Sequence, residues 1–115
     1  MAADESQPAD HTVREIDGRR IVFDREGFFE DPDEWSEAAA RVLAEETGLV
    51  RITDDHWRVL RFLRDYYYQN GRAPLNKKLR AGLGMNISEI EKLFPSGVKY
   101  GARRLAGLPN PKSCM

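Results

Sequence analysis

Between Trp57 and Tyr68 the apolar residues recur at helical spacing: Trp57, Leu60, Leu63 and Tyr67, widened by Val59, Phe62 and Tyr66. This stripe constrains the fold more than any other feature of the chain. Thr53 precedes it as a capping hydroxyl, Asp54 and Asp55 put negative charge on the positive end of the helix dipole, and Asn70-Gly71 ends it. A helix with so wide an apolar face must be covered by other elements. In a chain of 115 residues those elements belong to one domain, with enough buried surface for one modest core.

The covering elements are legible on both sides. Upstream, Asp17-Gly18 separates short apolar segments in Arg14–Phe23, a hairpin signal. Gly27 marks a further turn before Phe28-Phe29, a possible third short strand. Asp31 caps and Pro32 opens a helix whose Trp35, Ala39, Val42, Leu43 and Ala44 share a face, with Gly48 as its stop. Downstream, Leu75, Leu79 and Leu83 mark a short third helix. Asn86 or Ser88 caps a fourth that buries Ile90, Leu93 and Phe94. Residues 98–106 read as a fifth, basic on its outside through Lys99, Arg103 and Arg104. The expected architecture is α+β: a mostly helical compact domain of about five helices with a small N-terminal β-hairpin and an extended C-terminal arm. Its boundaries are a disordered leader over 1–12, a globular domain over 13–107 and an arm over 108–115, stiffened by Pro109 and Pro111. Trp35, Leu43, Trp57, Leu60, Leu63, Leu79, Leu93 and Phe94 are the expected core.

Several classes are excluded or disfavoured. At 41% hydrophobic and 32% charged residues the chain is not disordered throughout. No stretch approaches 18 consecutive apolar residues, so no membrane span is expected. The N-terminus lacks the basic and apolar regions of a secretory signal, and a cytoplasmic location is expected. A single cysteine rules out a disulfide framework, and one Cys with two His makes a zinc cage improbable. The net charge of −1 conceals an asymmetry: residues 1–57 hold 16 Asp and Glu against 6 Lys and Arg, whereas residues 58–115 hold 3 against 12. Such halves attract each other in the fold, or leave a basic face for nucleic acid, an anionic substrate or an acidic partner. Lys77, Lys78 and Arg80 on the third helix give a DNA-binding, helix-turn-helix reading, against which the sequence pI of about 6.1 counts. His56 reads as a capping or packing histidine rather than a catalytic one.

Cys114 is the one nucleophile placed where no apolar pattern buries it. A thiol on a stiffened arm can enter another protein's active site, the geometry needed to carry sulfur as a persulfide. Lys112, Arg103 and Arg104 favour its thiolate, and the terminal carboxylate opposes it. A lone terminal cysteine is equally compatible with an incidental residue, and from the residues alone both readings stay open.

A resemblance then narrows the choice. Asp24-Arg25-Glu26-Gly27-Phe28 with Trp35-Ser36, Thr53-Asp54-Asp55-His56-Trp57, Phe62-Leu63-Arg64-Asp65-Tyr66-Tyr67, Ala73-Pro74 and Leu93-Phe94-Pro95 precede Ala106-Gly107-Leu108-Pro109-Asn110-Pro111 and Cys114-Met115. Together, from about Ile16 onward, they resemble the DsrC/TusE family: the gamma subunit of dissimilatory sulfite reductase and the sulfur-relay protein TusE. The resemblance implies a sulfur carrier without a cofactor, acting as a sulfurtransferase-type component rather than a turnover enzyme on its own. It implies Cys114 as the persulfide acceptor, with Arg103, Arg104, Lys99 and Lys112 supporting the arm or meeting partners. Implied partners are sulfur-donor and sulfur-acceptor proteins: a relay complex, a tRNA thiolase, or dissimilatory sulfite reductase. The sulfite-reductase branch carries a second cysteine eleven residues before the penultimate one, and here that place is Arg103. Without it, no intramolecular disulfide or trisulfide forms, which aligns the chain with the TusE-like members. Val98-Lys99-Tyr100 also replaces a Pro-x-Lys pattern, moving the basic residue one place along its helix.

Overall fold

A computed structural model describes residues 11–110. The expected disorder of residues 1–10, and Lys112 and Cys114, lie outside the described residues. Strands β1 (His11–Ile16) and β2 (Arg19–Asp24) pair antiparallel, with His11 opposite Asp24 and Ile16 opposite Arg19. Asp17 and Gly18 both take positive φ, at 54° and 78°, the turn whose twist matches that of the strands it joins. His11 and Thr12, placed in the leader by the sequence reading, are paired with Asp24 and Phe23 in this hairpin. The possible third strand is a single antiparallel bridge, Phe29 to Phe23, whose rings meet edge-on at 4.9 Å.

The expected helix at Asp31 divides in two. Asp31 caps only a 3-10 turn, Pro32–Glu34, and α1 (Glu37–Glu46) starts afresh under Ser36, whose Oγ accepts from the Ala39 amide at 3.1 Å. Trp35 stays extended between them. Two long-range hydrogen bonds oppose a continuous helix: the Val22 amide donates to the Glu34 carboxylate at 3.0 Å, and the Trp35 indole donates to the Leu105 carbonyl at 2.7 Å.

Helix α2 (Asp54–Asn70) has the expected cap and stop. Buried His56 performs the packing role anticipated for it. Its Nδ1 accepts from the Thr53 amide at 3.0 Å and its Nε2–H donates to the Leu93 carbonyl at 2.6 Å, which fixes the neutral tautomer. His56→Ala removes this cap and strands a buried carbonyl. The expected loss is about 3 kcal/mol, a fall in Tm of roughly 10–20 °C followed by circular dichroism.

Helix α3 (Asn76–Leu83) buries Leu79 and Leu83, but Leu75 does not continue their stripe. It sits at the extended position before the helix, 74% exposed, because the helix starts one residue later. Helix α4 (Ile87–Leu93) begins with a reciprocal box, Asn86 Oδ1 accepting from the Glu89 amide and Glu89 Oε1 from the Asn86 amide. The fifth helix is wound as a π-helix over Val98–Arg103, whose wider turn rotates later side chains away from their expected α-helical directions. Lys99, Arg103 and Arg104 are accordingly half-buried instead of lying on its outside.

Leu43, Leu60, Leu63, Leu79 and Phe94 form the core as expected, with Phe28, Phe29, Leu105 and Leu108 beside them. Leu93 and both tryptophans are only partly buried. Each indole lies beneath a guanidinium, Trp35 under Arg64 at 4.3 Å and Trp57 under Arg41 at 5.0 Å, so a cation replaces part of the apolar cover. Among the described residues no helix is long and apolar enough to cross a membrane, and no group of His, Cys, Asp and Glu is arranged to hold a metal.

Candidate functional site: the root of the C-terminal arm

The chain leaves its last helix through a reversal closed by two backbone bonds: the Gly107 amide donates to the Arg104 carbonyl at 3.0 Å and the Leu108 amide to the Arg103 carbonyl at 3.2 Å. With Gly107 at φ 79°, this is the Schellman pattern, in which the residue after the glycine packs back onto the helix. Leu108, expected to open the free arm, is for that reason fully buried. Pro109 and Asn110 are half-buried.

Three groups hold the root in place. Trp35 covers Gly107 while its indole N–H holds the Leu105 carbonyl. Arg64, from the middle of α2, donates through Nη1 to the Ala106 carbonyl at 2.9 Å and through Nη2 to the Pro32 carbonyl at 3.2 Å. Tyr68, one turn on, hydrogen-bonds Asp33 and so fixes the 3-10 turn to α2. The third group is Asp24, at the end of β2. Its Oδ1 accepts from the amides of Glu26 at 2.8 Å and Phe28 at 2.9 Å, and its Oδ2 accepts from Asn110 Nδ2 at 3.0 Å.

The basic residues singled out in the sequence point to different places. Arg103 Nη2 donates to the Pro74 carbonyl at 2.9 Å, in the connection between α2 and α3. Its Nε is buried and has no acceptor among the described residues, and burial lowers the pKa of the guanidinium from its ordinary value. Arg104 turns instead to the Asp24–Phe28 turn, with Nη1 on the Gly27 carbonyl at 3.3 Å and Nε on the Tyr100 carbonyl at 3.2 Å. Burial lowers its pKa too, and Glu46 partly offsets this. Lys99 Nζ lies 5.0 Å from the centre of the Tyr100 ring. Lys77, Lys78 and Arg80 are exposed on α3, apart from this root. Cys114 and Lys112 follow beyond the last described residue. Trp35, Arg64, Asp24 and Asn110 were not anticipated as arm supports. The Gly107-Leu108 pair was the available signal for the reversal, whereas nothing local marks Arg64 as more than a polar-face residue.

The sequence profile of the family described as DsrC like protein matches residues 15–115. The chain belongs to the DsrC-like family. Within that family it is 37% identical over 98 residues to the gamma subunit of the dissimilatory-type sulfite reductase of Nitratidesulfovibrio vulgaris, covering 85% of this chain and 93% of that protein. It is also 37% identical over 108 residues to the sulfurtransferase TusE of Pectobacterium atrosepticum, covering 88% of this chain and 98% of that one. The crystal structure of the oxidised gamma subunit (DsrC) of dissimilatory sulfite reductase from Archaeoglobus fulgidus superposes with a TM-score of 0.81 at 35% identity. The match covers 90% of this chain and all of that one. The mostly helical α+β domain with its N-terminal hairpin is thus the DsrC-like fold.

Proposed function

We propose that this protein is a sulfur-relay carrier in which Cys114 accepts sulfane sulfur as a persulfide and passes it to a second protein. The observation that carries the reading is the near-full-length similarity to a sulfurtransferase TusE and to a sulfite reductase gamma subunit, together with a family match over residues 15–115 that includes the chain's only cysteine. In the loading step the Cys114 thiolate attacks the outer sulfur of a donor persulfide. The donor's S–S bond breaks, the donor departs as a thiolate, and Cys114 is left as an anionic persulfide. Delivery repeats the exchange with an acceptor thiolate, so no external oxidant or reductant is consumed. With one cysteine the protein works by intermolecular exchange, in the TusE manner, between a donor such as a relay complex and an acceptor such as a tRNA thiolase.

The basic residues have supporting roles in this reading. Arg104 steadies the turn that receives Asn110, and Lys99 and Lys112 meet acidic partner surfaces. Arg103 stabilises the anionic persulfide when the arm folds back, a half-buried cation that keeps its proton at neutral pH. If position 103 faces the arm, Arg103→Cys forms a disulfide with Cys114 under mild oxidation, seen as a two-proton mass loss (about 2 Da). A folded variant that never forms this bond removes the role for Arg103.

The carrier reading is tested by incubating the protein with a cysteine desulfurase or another persulfide donor and measuring its intact mass. The expected gain is about 32 Da, released by a thiol reductant. No gain, together with tight and salt-dependent binding of DNA, overturns it in favour of a nucleic-acid role for Lys77, Lys78 and Arg80.

A further inference from the structure

We propose that the α2–α3 connection and the start of α3 form a docking surface for an acidic protein partner, with Leu75 as its apolar anchor and Arg72, Lys77, Lys78 and Arg80 as its charged rim. That the partner donates or accepts sulfur rests on the carrier reading; the surface itself rests on charge and geometry. Residues 66–88 contain these four cations and no Asp or Glu. All four are exposed, and none has an ion pair or side-chain hydrogen bond among the described residues. Folding gains nothing from them. Lys77 and Lys78 stand in the first turn of α3, at the positive end of its dipole, and Lys77 and Arg80 are like charges one turn apart. The described residues offer them no counter-charge, and an acidic partner supplies it.

Leu75 gives the surface its centre. Its side chain is 74% exposed, yet its backbone is fixed on both sides. Before it, buried Pro74 has its carbonyl held by Arg103 of the last helix at 2.9 Å. After it, the Leu79 amide donates to the Leu75 carbonyl at 3.0 Å, closing the first turn of α3. A leucine presented on so rigid a support loses little backbone freedom on binding, which suits an anchor that enters a partner's apolar recess. An apolar centre within a charged rim is the anatomy of a protein interface. Nucleic acid fits this arrangement less well. A leucine contributes nothing to phosphate contacts, and residues 1–57, with 16 Asp and Glu against 6 Lys and Arg, repel a polyanion. Because Arg103 ties the connection to the last helix, a protein docked on Leu75 lies beside the helix that leads to Cys114.

The test measures binding of fluorescent polymers to the full chain by anisotropy at about 0.15 M salt. The probes are polyglutamate, a random glutamate–tyrosine copolymer of the same length, and a short random-sequence DNA duplex. The copolymer, which adds apolar groups to the acidic ones, is expected to bind about tenfold more tightly than polyglutamate. Leu75→Ser is expected to erase that difference, and Lys77→Glu combined with Lys78→Glu to weaken both acidic polymers at least about tenfold. The charge reversals favour the helix dipole, so Tm should hold or rise and lost binding is not a loss of fold. Equal binding of the two acidic polymers to wild type, binding unchanged by either variant, or tighter binding of the duplex overturns the docking surface. The readout needs no sulfur, so a protein that binds as expected but takes up no sulfane sulfur keeps the surface and loses only the relay role of its partner.

Discussion

Cys114→Ala is expected to abolish sulfane-sulfur uptake. The gain of about 32 Da seen with a persulfide donor should fall to zero, and transfer to any acceptor should fall below detection, because a thiolate is required to hold sulfane sulfur. No other side chain in the sequence can substitute for the only cysteine. The loss should come without unfolding. The fully buried side chains described run as far as Leu108 and leave the fold's core complete without Cys114, so Tm and the far-ultraviolet dichroism of the variant should match those of wild type. A variant that keeps the mass gain shows that sulfur attaches elsewhere and removes Cys114 from the mechanism.

Gly107→Ala is expected to produce the largest loss of stability. At φ 79° the backbone is in the left-handed region, which costs an alanine about 1–2 kcal/mol. The added Cβ would also lie 2.4 Å from Cδ1 and 2.7 Å from both Cβ and Cγ of Trp35. Trp35 is poorly placed to yield, held between the Arg64 guanidinium on its face and the Leu105 carbonyl on its indole nitrogen. Overpacking of this kind costs about 1–3 kcal/mol, bringing the total to about 2–5 kcal/mol and a fall in Tm of at least about 8 °C. Urea and thermal unfolding measure both quantities. A loss under about 1 kcal/mol would falsify the rigid packing of Trp35 on the arm root. Arm delivery should suffer as well, since Leu108 and Asn110 follow directly from this turn.

The elements legible in the sequence are those whose cause is local. The stripe from Trp57 to Tyr67, the Thr53 and Asn86 caps, and the Asp17-Gly18 turn are each settled by residues within a few positions of one another. Helix period, capping and left-handed turns are short-range physics, so these elements stand as read. The division at Trp35 was not legible, because Asp31-Pro32 is a sound helix start and only the distant Val22 amide and Leu105 carbonyl favour the break. Leu75 shows the same limit from the other side: its spacing fits the Leu79 stripe, but the helix begins just after it.

By itself the sequence determined that an amphipathic α2 must be covered, that a hairpin precedes it, that the arm carries the only thiol, and which family these motifs resemble. Tertiary structure decided what holds the arm. Trp35 meets Leu105 across 70 residues, Arg64 meets Ala106 across 42, and Asn110 meets Asp24 across 86. It also decided that Arg103 and Arg104, neighbours in sequence, serve the α2–α3 connection and the Asp24–Phe28 turn separately. Periodicity reports which face of an element is apolar; it carries no information about which distant carbonyl or carboxylate packing will bring to a given donor.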